Sequence, residues 1–197
     1  MGSLYIGLFH YPMRNRQGEI VATSTTSIDI HDIARSARTY SVARYFVVTP
    51  LPTQQEISWR VRGFWTEGEG TRENSGRGEA LEYVVVAADL EETVEWIRQA
   101  EGVEPLLLAT SAKKTDMPPI SFGELAGRLR TDPRPVYILF GTGWGMAEEL
   151  IEACDGILPP IMPDAGFNHL SVRAAVAIVL DRIAGDRPVY EEKWRTS

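Results

Sequence analysis

The sequence has few residues of the types that build thiol and metal sites. Its 197 residues include one cysteine and three histidines. A lone cysteine, Cys154, excludes an internal disulfide and is typical of the reducing cytoplasm, which is therefore the expected location. His10, His31 and His169 show no metal-ligand spacing, and Cys154 lacks a second thiol, so no metal site is expected.

Long apolar runs and an excess of positive charge are also missing. No run reaches the roughly 20 apolar residues of a membrane-spanning helix. The first residues, MGSLYIGLFHYP, have no basic segment before their apolar stretch, so neither a membrane segment nor a signal peptide is expected. The net charge of −7 argues against a broadly basic nucleic-acid-binding surface. Any contact with nucleic acid would come from a few clustered arginines.

Apolar residues are abundant, at 44% of the chain, which predicts one domain over residues 1–197. Six near-continuous apolar runs alternate with helix-like stretches, which predicts an α/β fold, a mainly parallel sheet with helices on both faces. The segment TEGEGTRENSGRGE, residues 66–79, is rich in glycine and has no apolar side chain, so a mobile surface loop is expected there. The six apolar runs are Leu4–Phe9, Arg44–Pro50, Glu82–Ala88, Pro105–Ala112, Val136–Gly141 and Gly156–Ile161.

A strand, a glycine turn and a helix follow one another in VYILFGTGWGMAEEL, residues 136–150. Such turns often hold nucleotides, but this one matches neither G-x-G-x-x-G nor the P-loop, since no lysine follows. Glu148 and Glu149 open the following helix and would repel a pyrophosphate. The turn therefore suits close backbone approach by an uncharged or cationic ligand. The alternative is that its glycines only allow a tight reversal of the chain.

Two helical stretches carry further information. In DIHDIARSARTY, His31, Arg35 and Arg38 lie at i, i+4 and i+7, on a face away from the apolar residues. This face is either solvated or a contact for an anion or RNA, for which arginine supplies planar paired donors. The second stretch, NHLSVRAAVAIVLDRI, is apolar nearly all round, which predicts a buried helix with Asn168 as its N-cap.

These segments together resemble the SPOUT class of RNA methyltransferases. Asp29 stands six residues before Arg35, which Ser and Ala follow, as in the first motif of the SpoU branch. FGTGWG, beginning at Phe140, is similar to the second motif, and PPI and HLSVR further on loosely match the third. The resemblance covers nearly the whole chain. It is greatest to the stand-alone predicted S-adenosylmethionine-dependent RNA methyltransferases of bacteria.

The resemblance implies a C-terminal trefoil knot, although chains are unknotted by default. It also implies a homodimer with the active site completed across the interface, and S-adenosylmethionine held by backbone groups of three loops. A sulfonium ligand without phosphate fits a glycine turn that lacks lysine. The implied cofactor-binding residues are Leu108, Ala109, Thr110, Phe140, Gly141, Thr142, Gly143, Gly145, Ile157, Leu158, Ile161 and Leu170.

The activity implied by the resemblance is methyl transfer from S-adenosylmethionine to RNA, either tRNA or rRNA. Arg35 and Asp29 are the expected catalytic residues. His31, Arg38 and Arg14 are the expected substrate-binding residues, and Arg16 extends their basic surface. The alternative is a catalytically silent S-adenosylmethionine-binding module with the same fold.

Three positions depart from the SpoU branch. It has asparagine at position 29, glutamate at 143 and asparagine at 171, whereas this chain has Asp29, Gly143 and Ser171. Those groups accompany ribose 2′-O methylation in the SpoU branch. The tRNA guanine-N1 branch instead pairs an aspartate with an arginine, which makes Asp29, Asp164 and Arg35 candidates. Ribose oxygen and base nitrogen both remain open as the methyl acceptor.

Overall fold

The computed structural model describes residues 2–73, 75–112, 117, 119–161 and 169–185. Strands and helices alternate along these residues. The strands are β1 (Leu4–Phe9), β2 (Met13–Arg14), β3 (Ile20–Val21), β4 (Arg44–Val48), β5 (Val84–Ala87), β6 (Leu106–Ala109), β7 (Val136–Gly141) and β8 (Gly156–Ile157). The helices are α1 (Ser27–Thr39), α2 (Pro52–Thr66), α3 (Gly70–Glu73), α4 (Ser75–Leu81), α5 (Leu90–Glu101), α6 (Phe122–Thr131), α7 (Glu148–Glu152) and α8 (Val172–Ala184).

Six of the strands form one sheet in the order β5-β4-β1-β7-β6-β8. Every pairing in this sheet is parallel, which confirms the predicted parallel α/β architecture. The last strand is shorter than the apolar run Gly156–Ile161 predicts. Pro159 and Pro160 explain this, because proline has no N–H to donate to a neighbouring strand. β2 and β3 form a separate antiparallel hairpin.

The central strand β1 is buried along its whole length, and its side chains alternate between two cores. Leu4, Ile6 and Leu8 pack in the core that α1, α6 and α8 cover. Tyr5 and Phe9 point to the other face, where the core includes Ile97 of α5 and Leu150 of α7. Helices therefore cover both faces, as the continuous apolar runs predict.

The glycine-rich stretch 66–79, where a mobile surface loop is expected, contains α3 and part of α4. Its glycines allow close packing. A Cβ added at Gly78 would lie 2.7 Å from the carbonyl oxygen of Trp65. A Cβ added at Gly70 would lie 2.7 Å from a ring carbon of the same tryptophan. The mobility of this stretch and the single-domain organisation remain predictions.

The last helix, α8, begins at Val172 with Ser171 as its N-cap, whose hydroxyl accepts from the Ala174 N–H. The predicted cap at Asn168 is therefore wrong, because that residue lies three positions before the cap. α8 packs against α1 and α6, with Val176 and Leu180 fully buried. The knot would involve residues 162–168, which lie outside the described residues, so it stays a prediction. No helix in the described ranges is long and apolar enough to cross a membrane.

Candidate active site

Three loops meet at one edge of the sheet because they follow three adjacent parallel strands, β7, β6 and β8. Carboxyl ends of parallel strands are a common place for ligand sites. Backbone hydrogen bonds tie the loops together: the Thr110 N–H donates to Leu139 O at 3.1 Å, and the Leu158 N–H donates to Ala109 O at 2.9 Å. Predicted cofactor residues of all three loops therefore share this edge. They are Leu108, Ala109, Thr110, Phe140, Gly141, Thr142, Gly143, Gly145, Ile157, Leu158 and Ile161.

Leu170, the remaining predicted cofactor residue, directly precedes the N-cap of α8, and its side chain is 43% exposed. The seven residues before His169 lie outside the described ranges. The same gap contains Asp164, so its candidacy as a catalytic residue also stays a prediction.

The glycines of the β7 turn are needed for two different reasons. Gly143 and Gly145 have φ of 60° and 103°, conformations that side chains with a Cβ rarely adopt. Gly141 is needed for space, since a Cβ there would lie 2.6 Å from Cγ of Met146. The turn therefore requires glycine at two positions for its backbone conformation and at a third for space.

The β2–β3 hairpin packs against this glycine turn. The Arg14 N–H donates to Gly145 O at 2.8 Å, and the Trp144 N–H donates to Arg14 O at 3.3 Å. Met13 forms an antiparallel bridge with Met146. The predicted substrate residue Arg14 is thus at the site, but its guanidinium already donates to Gly18 O at 2.7 Å and lies 3.3 Å from Glu148.

A chain of hydrogen bonds connects the turn with His10, which directly follows β1. The Thr142 hydroxyl donates to Phe9 O at 3.1 Å, and the Thr23 hydroxyl bonds Thr142. His10 Nδ1 lies 3.0 Å from the same Thr23 oxygen. The two hydroxyls and the ring N–H all donate if the Thr23 hydroxyl donates to Thr142 and Nδ1 of His10 carries the ring proton. His10 Nε2 is then a buried acceptor without a partner in the described residues.

His10 is fully buried, and this burial lowers its pKa to about 4, although the charge of Asp29 acts in the opposite direction. The imidazole is therefore neutral at physiological pH. Thr25 Oγ1, at the same edge, is a second buried polar atom without a partner in the described ranges. Sequence reasoning did not select His10 or Thr23 for this site, because no local motif joins them to Thr142.

Asp29, a predicted catalytic residue, is buried in the first turn of α1. One carboxylate oxygen accepts from Nη1 of Arg173 at 2.6 Å, and the other accepts from the hydroxyl of Thr26. The expected aspartate–arginine pair therefore exists, but its arginine is Arg173 rather than Arg35. Arg173 also lies 3.5 Å from Asp32. The signal that could have identified Arg173 is its place in HLSVR, the stretch that loosely matches the third SPOUT motif.

Arg35, the second predicted catalytic residue, is exposed and has no ion pair within the described ranges. It lines a groove between α1 and α8 that also includes Asp32, Tyr40 and Ala177. Arg35 is thus separated from the carboxylate of Asp29 and is accessible to a large anionic partner.

The predicted basic face of His31, Arg35 and Arg38 is not uniform. Arg38 Nε donates to Glu79 at 2.9 Å, so its charge is already paired. His31 is half-buried, with its ring centre 5.7 Å from that of Trp65 in an edge-on contact. Burial lowers the pKa of His31, which disfavours its cationic form. Arg35 is therefore the residue of this face best able to meet a phosphate.

The described residues support neither a cysteine nucleophile nor a metal site. Cys154 is buried and its thiol donates to Leu150 O at 3.4 Å. Burial raises the pKa of Cys154 to about 12, so the thiol is not a nucleophile at neutral pH. No group of three or more His, Cys, Asp or Glu in the described ranges is placed to hold a metal ion.

Comparison with known proteins assigns this architecture to a class. Residues 3–185 match the SAM-dependent RNA methyltransferase family, and the chain belongs to this family. Its fold is similar to the solved structure of the TrmH/SpoU tRNA modifying enzyme of A. aeolicus, with a TM-score of 0.55 at 17% identity. That superposition covers 98% of this chain and 78% of the other. This similarity agrees with the parallel α/β fold expected from the sequence.

Several known proteins are similar to this chain in sequence. The chain is 41% identical over 184 residues to the tRNA (guanine-N(1)-)-methyltransferase of Oleidesulfovibrio alaskensis, covering 93% of this chain and 42% of that protein. It is 39% identical over 181 residues to an uncharacterized protein of Aquifex aeolicus, covering 92% and 88% of the two chains. The chain thus spans less than half the length of its relative from O. alaskensis.

The cofactor of the family is S-adenosylmethionine, and the residues at the sheet edge fit it. The loop segments 108–111, 140–145 and 157–161 contain no lysine or arginine, as suits a ligand with a sulfonium and no phosphate. Leu108, Phe140 and Ile157 are buried in the two cores and so anchor these segments, which leaves their backbone groups as the contacts for an adenosyl group. At Gly145 an added Cβ would meet no atom within 4 Å, so there is open space beside the turn for close approach by the ligand.

Proposed function

We propose that this chain transfers a methyl group from S-adenosylmethionine to RNA, with tRNA as the acceptor and rRNA as the alternative. One observation carries the proposal: the β7-β6-β8 loops and the Asp29–Arg173 pair occupy the same edge of the sheet. His10 connects them, because it joins Thr142 through Thr23 and its pKa responds to the charge of Asp29.

When bound, S-adenosylmethionine supplies an electrophilic methyl group on its sulfonium. The chain contributes mainly alignment of the two reactants, which is a large part of the catalysis of such transfers. The three loops hold the donor, with Thr142 fixed through its hydroxyl to Phe9 O and Thr23. Arg35 holds a phosphate of the RNA or polarises the acceptor, since its guanidinium is exposed.

The proposed acceptor atom is a ring nitrogen, N1 of guanine. Two observations support it: Asp29 stands where the ribose-methylating SpoU branch has asparagine, and the relative from O. alaskensis is named a tRNA (guanine-N(1)-)-methyltransferase. Guanine N1 carries a proton that must leave, so a general base is required. Asp29 is the proposed base, and Arg173 and Thr26 orient its two oxygens.

A cytoplasmic homodimer with a trefoil knot completes the proposal. Exposed apolar side chains near the starts of two packed helices support the dimer: Ile28 on α1 is 52% exposed and Leu170 before α8 is 43% exposed. An isolated subunit would leave both in water. The groove that contains Arg35 lies between the same two helices, so a second subunit would cover a surface close to it.

The test is transfer of a tritiated methyl group from S-adenosylmethionine to separated tRNA and rRNA from cells that lack this protein. We expect labelled tRNA, and nucleoside mass spectrometry should identify 1-methylguanosine. Asp29→Asn should bind S-adenosylmethionine in a calorimeter but transfer no methyl group. A silent binding module would instead bind the cofactor and label neither RNA, and this result would refute the proposed activity.

A further inference from the structure

We propose that Trp144, together with the β2–β3 hairpin, forms a surface on which an unpaired nucleobase of RNA stacks. The inference rests on the proposed function, since it names how the RNA substrate meets the site. Trp144 is not among the residues that the SPOUT motifs assign to the cofactor. Its indole occupies the tip of the β7 turn and is 53% exposed.

The segment that packs on the turn carries two further large, exposed side chains. Tyr11 is 44% exposed and Ile20 is 48% exposed, and both belong to the segment that packs on the turn. Ile20 pairs with Arg14 across the hairpin, and Arg14 in turn accepts from the Trp144 N–H. Hairpin and turn therefore form a short backbone ribbon with large exposed side chains.

The indole is displayed on a rigid backbone. Trp144 lies between Gly143 and Gly145, both with positive φ, and the Gly145 N–H donates to Thr142 O at 3.1 Å. The Trp144 N–H is itself bonded to Arg14, so both sides of the turn are fixed. A ligand that stacks on this ring would order little further backbone, which lowers the entropic cost of binding.

The chemistry of the surface favours a base over a phosphate. Glu148 lies 3.3 Å from the guanidinium of Arg14 and compensates its charge, so the strip beside Trp144 is close to neutral. Aromatic side chains stack any nucleobase through its flat face, and proteins use them for single-stranded RNA. Arg16 is exposed without an ion pair in the described residues, so it can meet the backbone of the same strand.

The proposed stacking surface lies beside the proposed site of the methyl donor. Trp144 is in the same turn as Thr142 and Gly143, which we place at the methyl donor. A base that stacks on the indole is therefore next to the nucleotide that receives the methyl group. We infer that Trp144 holds a neighbouring unpaired nucleotide and so restricts the substrate to single-stranded or looped RNA.

The experiment titrates a short single-stranded RNA of mixed sequence into the protein and its variants. Trp144→Ala should weaken RNA binding by about 10-fold, the scale of one lost stacking contact, whereas Trp144→Phe should stay within about 3-fold of the parent. Trp59→Ala is the matched control: this residue is 47% exposed on α2, and its loss should leave RNA affinity unchanged. Affinity for S-adenosylmethionine should be the same in all four proteins.

Equal RNA affinity of Trp144→Ala and the parent would overturn the stacking surface. So would a change from dimer to monomer in light scattering of Trp144→Ala, because a second copy would then be the occupant. Methyl transfer separates this inference from the proposed function. If the parent methylates RNA and Trp144→Ala binds RNA normally, only the stacking surface fails. If the parent transfers nothing but RNA binding depends on Trp144, only the activity fails.

Discussion

The carboxylate of Asp29 accepts a hydrogen bond from the guanidinium of Arg173 at 2.6 Å, across 144 residues of sequence. This contact joins the first turn of α1 to the first turn of α8. It brings the helix with the first SPOUT-like motif onto the helix that follows the third. The pair therefore has two effects: it orients a proposed base and fixes the relative position of two helices.

Loss of Arg173 should destabilise the protein, because Asp29 would keep a buried charge with one hydrogen-bond partner fewer. The Asp29 side chain is 11% exposed. We expect Arg173→Gln to lower the free energy of unfolding by about 1–3 kcal/mol. Urea denaturation at neutral pH measures this. Asp32→Asn is the control, since Asp32 lies 3.5 Å from Arg173 with its side chain 47% exposed, and it should have a much smaller effect. Equal losses of unfolding free energy in Arg173→Gln and Asp32→Asn would show that the buried charge of Asp29 does not depend on Arg173.

Replacement of Arg35 should abolish methyl transfer and leave cofactor binding intact. Arg35 is exposed and lies away from the three strand-end loops, so Arg35→Ala should change neither the fold nor the affinity for S-adenosylmethionine. We expect transfer to RNA to fall by at least about 100-fold, the size of effect typical when a group that positions the reactants is lost. Arg130→Ala removes another exposed arginine, on α6, and should keep full activity. Normal transfer by Arg35→Ala would remove this residue from the mechanism.

Alanine at Gly145 should strain the turn without any steric clash. An added Cβ there meets no atom within 4 Å, but the φ of 103° is one that alanine rarely adopts. We expect Gly145→Ala to lower the free energy of unfolding by about 1–2 kcal/mol. Gly127 in α6 also has free space around an added Cβ, and there alanine should stabilise the helix by up to about 1 kcal/mol. Thermal or urea unfolding measures both changes in stability. A change of the same sign in both variants would refute the explanation by backbone strain at Gly145.

Acid should destabilise the protein partly through His10. Its pKa is lowered from 6.5 to about 4 in the folded state, so the folded imidazole stays neutral where the unfolded one takes up a proton. This contribution is fully present above pH 6.5 and is lost as the pH falls from there to about 4. Its full size is about 3 kcal/mol. His31 contributes in the same direction, since its pKa is also lowered.

The measurement compares urea unfolding of the parent and of His10→Gln between pH 7 and pH 4. Carboxylates titrate in both proteins, so their effect cancels in the difference. The parent should lose more stability than the variant over this interval. Parallel stability curves would show that His10 does not titrate on unfolding.

The sequence predicts the sheet well because burial on both faces leaves a local signal, a continuous apolar run. It does not predict the helices α3 and α4 in the stretch 66–79, since glycine usually indicates loops. There Gly70 and Gly78 serve instead to let helices approach Trp65, a need that only the packed structure reveals. Within the site, the motif containing Asp29 was readable, but its partner Arg173 and the Thr23–Thr142 contact were not, because they join distant segments.

By itself the sequence determined the six strands of the main sheet and several of the helices that cover it, and it predicts that the β7 turn needs glycine and suits a ligand without phosphate. These properties depend on neighbours a few residues apart, through side-chain period, backbone freedom and local charge. Only the tertiary structure decided that Asp29 pairs with Arg173, that Arg38 is bound to Glu79, and that Trp144 is held outward by the β2–β3 hairpin. Such contacts close long loops, and they form where the packing of the whole chain brings their partners within hydrogen-bonding distance.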